Sequence, residues 1–159
     1  DPGHTESAWA LYDSAAGRPV RWAKERNADV LIACGSIVRP ADAVLAIEMV
    51  ASYGMAVGAE VFGTCVWAGR FIQRWLDAGG GEPVPVYRKE VKLHLCGSLR
   101  AKDSNIRAAI IDRFGPSKDK AVGLKASPGP LYGMKADCWS ALAVAITADE
   151  GLRSADRSV

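Results

Sequence analysis

Apolar and polar residues alternate in blocks along the 159-residue chain, and the blocks predict its elements. Residues 7–12 (SAWALY) form a short apolar run that meets the turn cluster Asp13-Ser14-Ala15-Ala16-Gly17. That is the pattern of a strand running into a hairpin, with 19–23 as its partner. Val30, Leu31, Cys34 and Ile37 recur at helical spacing over 27–37, with Asn27 or Asp29 as the start and Arg39-Pro40 as the break. The continuous apolar run 43–47 (AVLAI) predicts a buried strand that ends at Glu48. Residues 49–58, with Gly54 and Gly58, read as a loop. Val61, Phe62, Cys65, Val66, Phe71, Ile72 and Trp75 mark a long amphipathic helix over 57–76, ended by Gly79-Gly80-Gly81. A short strand at 84–87, a short helix at 89–95 stopped by Gly97, and a helix at 104–114 closed by Gly115-Pro116 come next. Residues 118–132 read as a Gly/Pro/Lys-rich loop. Residues 137–148 are a strongly apolar last helix, and the polar tail after it is expected to fray. Strands lead and then alternate with helices, which predicts an α/β layer architecture around a mixed sheet.

Composition bounds this picture. A chain that is 49% hydrophobic and 24% charged has the make-up of one folded domain over 1–159 and gives no case for disorder. No stretch approaches the 18 or so apolar residues of a membrane span. The opening Asp1-Pro2-Gly3-His4 has neither the basic stretch nor the apolar run of an export signal, so a cytoplasmic location is expected. Cys34, Cys65, Cys96 and Cys138 lie far apart with no CxxC pair, which argues against zinc and against a disulfide framework. They read as small buried hydrophobes in a reducing compartment.

Charge changes the picture more. Residues 88–125 hold ten basic side chains (Arg88, Lys89, Lys92, Arg100, Lys102, Arg107, Arg113, Lys118, Lys120, Lys125) against four acids (Glu90, Asp103, Asp112, Asp119). The segment carries +6, so the remainder carries −4 of a chain total of +2. A solvated helical face would account for this as well as a polyanion partner would.

Three carboxylates share a position. Asp1 precedes a Pro-Gly turn, Glu48 follows an apolar run, and Asp137 opens the last helix. A charge at the end of a buried element is costly unless it is compensated. Hard cations such as Mg²⁺ are one compensation, and a pair of them can drive phosphodiester hydrolysis. Taken singly, each acid has a plainer reading: a turn residue, a solvated strand end, and a helix N-terminal acid favoured by the dipole.

These motifs resemble a family. Asp1-Pro2-Gly3 resembles the end of the first strand of RuvC-type Holliday junction resolvases, where apolar residues precede Gly-Ile-Asp-Pro-Gly. Ala46-Ile47-Glu48-Met49-Val50 is similar to their second acidic motif. Asp137 followed by Ala141-Leu142-Ala143-Val144-Ala145-Ile146-Thr147 is similar to their last helix. Ser52-Tyr53-Gly54-Met55, Leu95-Cys96-Gly97-Ser98 and Pro128-Gly129-Pro130-Leu131-Tyr132-Gly133 look most like the bacteriophage members. The resemblance implies a ribonuclease-H-like fold with a mixed central β-sheet flanked by helices. It implies a homodimer and Mg²⁺- or Mn²⁺-dependent, two-metal cutting of four-way DNA junctions in the bacterial host cell. Asp1, Glu48 and Asp137 would be catalytic metal ligands.

The chain departs from the family twice. The last helix of the family carries two acids three apart; the second falls here on Ser140, which would orient a water beside the metal. The central first strand of the family lies upstream of the Asp-Pro-Gly, so a strand preceding Asp1 is expected. Within the basic segment, Lys92, Arg100, Lys102 and Arg107 are the expected phosphate contacts, with Lys118, Lys120 and Lys125 on the loop and Lys102 nearest the scissile phosphate. Tyr53 is a candidate to stack on a base at the open junction, or a packing tyrosine. The helix 57–76, with Gly58, Gly63, Ala68 and Gly69, is the dimer candidate. Three rival functions stand beside the junction resolvase. They are another ribonuclease-H-like nuclease acting on RNA–DNA hybrids or forks, a non-cleaving junction-binding protein, and an actin-like phosphotransferase.

Overall fold

A computed structural model describes residues 1–36, 40–52, 54 and 56–157. The chain begins as a hairpin of β1 (Glu6–Asp13) and β2 (Arg18–Arg26), antiparallel, with an irregularity between Leu11 and Tyr12. Period-two alternation buries both faces of β1. Ala8, Ala10 and Tyr12 face one apolar cluster and Trp9 faces another, as expected of a strand covered on both sides. Helix α1 (Asn27–Ala33) comes directly after β2. It is shorter than the expected 27–37, whose last residue lies outside the described residues.

A single-turn helix at Pro40–Asp42 delays the next strand, so β3 spans Ala46–Met49 rather than 43–47. Glu48 therefore lies inside a strand, not after one. β3 pairs in parallel with β4 (Val84–Tyr87), Glu48 opposite Val86. The crossover between them is α2 (Ala59–Asp77), since parallel strands cannot be joined by a tight turn. At its end Trp75 Nε1 donates to Gly81 O (2.9 Å), and a Cβ on Gly80 would lie 2.2 Å from that nitrogen, so the glycine run closes over the indole.

Helices α3 (Arg88–Cys96) and α4 (Asp103–Phe114) are each closed at the N-terminus by a side chain reaching back. Glu90 accepts from Tyr87 N (2.7 Å), and Asn105 accepts from Lys102 N (2.9 Å). The expected loop 118–132 holds a short helix, α5 (Lys118–Ala121), and a two-residue-per-strand hairpin of β5 (Gly123–Leu124) and β6 (Ser127–Pro128). Gly129 lets that hairpin seat on α5, because a Cβ there would meet Lys120 O at 2.4 Å.

The last helix, α6 (Cys138–Asp156), runs beyond the expected 148. Its first half is buried on every side: Ala141, Leu142, Ala143 and Val144 are consecutive core residues. Its polar second half stays helical because tertiary partners hold it. Glu150 takes His94 of α3 (2.5 Å) and Arg113 of α4, while Asp149 and Arg153 hold Ser14 at the tip of the first hairpin. Burial alone pushes the Glu150 carboxyl up, but the hydrogen bonds from Arg113 and His94, with their charge, outweigh it and hold it below the usual range.

The elements stack in three layers. α3, α4 and α6 cover one face of the strands around Ile110, Leu131, Leu142 and Ile146; α1 and α2 cover the other around Val30, Ile47, Ala68 and Phe71. The expected single sheet is not continuous. Among the described residues the strands form three two-stranded sheets, β1–β2, β3–β4 and β5–β6. Of the cysteines, Cys138 is buried as expected, Cys34 and Cys96 are half-buried and Cys65 is exposed on α2, which corrects the reading of all four as buried.

Leu142 is fully buried where α6 meets the strands. Leu142→Ala should lower unfolding stability by about 2–5 kcal/mol, read from denaturant midpoints. Glu150 sets an acid limit. A carboxyl with a depressed folded pKa contributes stability that is complete above its unfolded value of about 4.3 and lost as pH falls through the folded value. Chemical denaturation of wild type and Glu150→Gln across pH should show wild type more stable at pH 7, with the gap closing in acid below about pH 4.

Candidate active site

The Asp-Pro-Gly turn is built by a closed set of polar contacts. The backbone of Asp1 pairs with Ala8 in both directions: Ala8 N donates to Asp1 O (3.0 Å), and the Asp1 amino group donates to Ala8 O (3.1 Å). Gly3 N donates to Ser7 Oγ (3.0 Å), Ser7 Oγ donates to Asn27 Oδ1 (2.6 Å), and Asn27 Nδ2 donates to Gly3 O (2.9 Å). Ser7 and Asn27 are the buried polar residues of the chain's described part, and their mutual bonds meet the desolvation cost of each. Gly3 is required by close approach, since a Cβ would lie 2.3 Å from Glu6 O. Asp1 is thereby fixed at the level of Ala8, beside the start of the hairpin.

Glu48 reaches the same region from β3, with a side chain only 17% exposed. Asp137 reaches it from the N-cap of α6. Its carboxylate makes no capping bond to its own helix. The preceding Ala136 sits at φ +44°, a region that alanine avoids, and this turn aims residue 137 away from the helix axis. The three acids share one neighbour, the α-amino group of Asp1. Burial lowers the pKa of that group to about 6, against the opposing charges of Glu48 and Asp137. The structure thus brings the three sequence-predicted carboxylates to one place from three separate elements.

They are not bare. Lys24 Nζ, from β2, lies 2.8 Å from Asp137 Oδ2 and 3.8 Å from Glu6 Oε2. The hydrogen bond to Asp137, then its charge, raises the Lys24 pKa, so this amine is a cation at neutral pH. Arg88, the first residue of α3, has one nitrogen 3.8 Å from Glu48 and the other 2.5 Å from Asp103 at the start of α4. As the side chains stand, no three His, Cys, Asp or Glu among the described residues are close enough to hold one metal ion. The donor set is all oxygen, which suits Mg²⁺ or Mn²⁺ in kind. Asp1 and Glu48 remain as ligands, while Asp137 is engaged by an ammonium.

Ser140 lies one turn beyond Asp137 and is half-buried. Lys102 is the exposed N-cap of α4, linked to Glu48 through the Asp103–Arg88–Glu48 chain. Arg107 stacks its guanidinium 4.7 Å over the ring of Trp139, which stands between Asp137 and Ser140 on α6. The remaining predicted cations spread outward: Lys92 on α3, Arg100 in the α3–α4 connection, Lys118 and Lys120 on α5, and Lys125 at the β5–β6 turn. Tyr53 lies outside the described residues.

Sequence reasoning missed Lys24, Ser7 and Asn27, and it counted Arg88 only as part of a charge total. Ser7 and Asn27 are 20 positions apart, and Lys24 faces the site only because register places it opposite Ala8. Nothing local in the chain marks these positions.

No protein-family model matches the chain, and no curated protein matches it. Among solved structures, the fold is similar to the Thermus thermophilus RuvC structure. The TM-score is 0.65 and the identity 18%, over 97% of this chain and 93% of that one. The chain therefore shares the α/β fold of RuvC across nearly its whole length.

Proposed function

We propose that the protein is a metal-dependent, structure-selective endonuclease that cuts four-way or branched DNA junctions. The observation that carries this reading is the convergence of Asp1, Glu48 and Asp137 from three elements of a RuvC-like fold onto one end of the strands. A bound Mg²⁺ or Mn²⁺ would supply Lewis-acid stabilisation and a water acidic enough to attack phosphorus at neutral pH. Asp1 and Glu48 are the residues that would hold it. Ser140, one helical turn from Asp137, presents a hydroxyl that can orient a water. Lys102 is placed to meet the scissile phosphate, and cleavage on this reading leaves 5′-phosphate and 3′-hydroxyl ends.

Phosphate contacts fall to Lys92, Arg100, Lys118, Lys120 and Lys125, which hold the backbone without reading sequence. Arg107 is committed first to Trp139. A homodimer fits the same picture. On α2, Phe62 and Val66 are each 61% exposed, one turn apart, and Gly58 and Gly69 have open space where a Cβ would be. Ala68 and Gly63 serve this chain's own packing instead, Ala68 in the core and Gly63 against His4. The motif resemblance favours a bacteriophage protein acting in the host cytoplasm.

The discontinuous sheet has a matching proposal. Between β1 and β3 runs a groove of about 1110 Å³, walled by Ala8, Ala10 and Tyr12 on one side and by Ala43, Leu45 and Ile47 on the other, with Ala141, Ala145 and Ala148 of α6 as its floor. Two strand edges facing each other over an apolar floor are the slot of an intervening strand. The backbone pair between Asp1 and Ala8 points the chain along that edge. An apolar strand leading into Asp1 would unite β2, β1, β3 and β4 into the mixed central sheet. Fusing a six-residue Val/Ile-rich segment ahead of Asp1 should raise the melting temperature by several degrees relative to a Gly/Ser segment of equal length. Equal melting points would discard the slot.

Cleavage of a labelled four-way junction in Mg²⁺ tests the function. Wild type should nick near the branch and stop on addition of EDTA. Glu48→Gln should lose at least about 10²-fold in rate, the scale of removing one charge contact to the transition state, while retaining junction binding by gel shift. Preferential cutting of an RNA–DNA hybrid, or tight junction binding with no cutting in any divalent metal, would replace the proposed substrate or the proposed activity.

A further inference from the structure

Lys24 gives the site a composition that the carboxylates alone do not suggest, and the role it takes there rests on the proposed nuclease activity. Asp1, Glu48 and Asp137 bring three negative charges. Asp137 is already matched by the ammonium of Lys24 at 2.8 Å. That ammonium has a fixed mount. Lys24 stands opposite Ala8 across the β1–β2 ladder, and Ala8 in turn pairs through its backbone with Asp1. Two adjacent pairings set its distance from the carboxylates, and a second acid, Glu6, steadies it at 3.8 Å.

Glu48 is matched differently. Arg88 approaches it only to 3.8 Å, because its other nitrogen is drawn 2.5 Å from Asp103. Glu48 and Asp1 thus keep two negative charges to offer, the charge of one divalent ion, and Mg²⁺ commonly takes one or two carboxylates with waters and substrate oxygens completing its shell. The face of α6 that carries Asp137 adds the neutral hydroxyl of Ser140 one turn on, not a second acid. A second divalent ion on Asp137 would be placed against an ammonium within a few ångströms, and like charges at that range repel strongly in a partly buried site.

We propose that each site takes one divalent ion, on Asp1 and Glu48, and that the Lys24 ammonium on Asp137 serves as the second positive centre for the scissile phosphate. Lys24 is then the residue that makes three carboxylates and a serine sufficient.

Titration of the full chain with Mn²⁺ in the absence of DNA, followed by electron paramagnetic resonance of the free ion, reads this directly. Wild type should take up one Mn²⁺ per chain. Lys24→Arg should also take up one, since it keeps the cation. Lys24→Met combined with Ser140→Asp should take up two, because an acid replaces the hydroxyl and the competing charge is gone. Lys24→Met alone should fall at least tenfold in junction cleavage at saturating Mg²⁺ while keeping the circular dichroism of wild type. If Lys24→Met does not fold, the wild-type and Lys24→Arg stoichiometries decide. Two Mn²⁺ per wild-type chain, or full cleavage by a folded Lys24→Met, would overturn the proposal. Two ions with normal cleavage would sink this inference and leave the nuclease activity standing. One ion and no cleavage of any branched DNA would sink the nuclease activity and leave the assignment of charge.

Discussion

Burial of α6 against β1 is the contact on which the rest of the structure depends. Four consecutive residues of α6, Ala141 to Val144, are in the core, and alanine at two of them lets the helix lie close to the strands. The helix is anchored at both ends by polar contacts to other elements, Asp137 to β2 and Glu150 to α3 and α4. A helix held this way cannot slide or rotate without exposing apolar surface and breaking ion pairs together. That rigidity positions the chemistry, because Asp137 and Ser140 ride on the first turn of α6 and inherit its register.

Gathering acids at the end of such a core is electrostatically unfavourable, and the site meets that cost with groups of its own. Lys24 and Arg88 come from strand and helix positions flanking the carboxylates, and each bridges two acids. The asymmetry between them matters. Lys24 is close to its site acid and Arg88 is distant from its own, so Asp137 is satisfied while Glu48 retains most of its charge. The polar ring of Gly3, Ser7 and Asn27 does the corresponding job for the backbone of the Asp-Pro-Gly turn, which would otherwise bury unpaired amide groups.

Much of this was legible in the chain. The hairpin, α2, α3, α4 and α6 follow from periodicity and glycine stops, and the three acids stand out because they sit at the ends of apolar runs. What was hidden is whatever only tertiary packing creates. The start of β3 shifted because Pro40 formed a helical turn that consumed the first residues of the apolar run. Helix α6 outran its apolar stretch because Asp149, Glu150 and Arg153 found partners up to 139 positions away. Lys24 looked like any polar residue of a hairpin, since its role arises from register with Ala8 and from the place where α6 begins. Continuity of the sheet was read from a family pattern, and the two two-stranded halves meet across a groove instead.

The uneven charge takes on a more specific meaning once the side chains are placed. Of the four arginines in the basic segment, three are committed to fixed internal contacts: Arg88 to Asp103 and Glu48, Arg107 to Trp139, and Arg113 to Glu150. Those contacts use the planar, multi-donor geometry of the guanidinium. Lys92, Lys102, Lys118, Lys120 and Lys125 make no ion pair among the described residues. A lysine is a compact charge with little directional demand, so a surface of lysines attracts phosphates without fixing their arrangement. On the proposed reading, affinity for DNA therefore comes from these lysines and falls with salt. Any preference for a branch has to come from elsewhere: from where the rigid α6 and the β1 turn hold the site, and from how two such sites are spaced in a dimer.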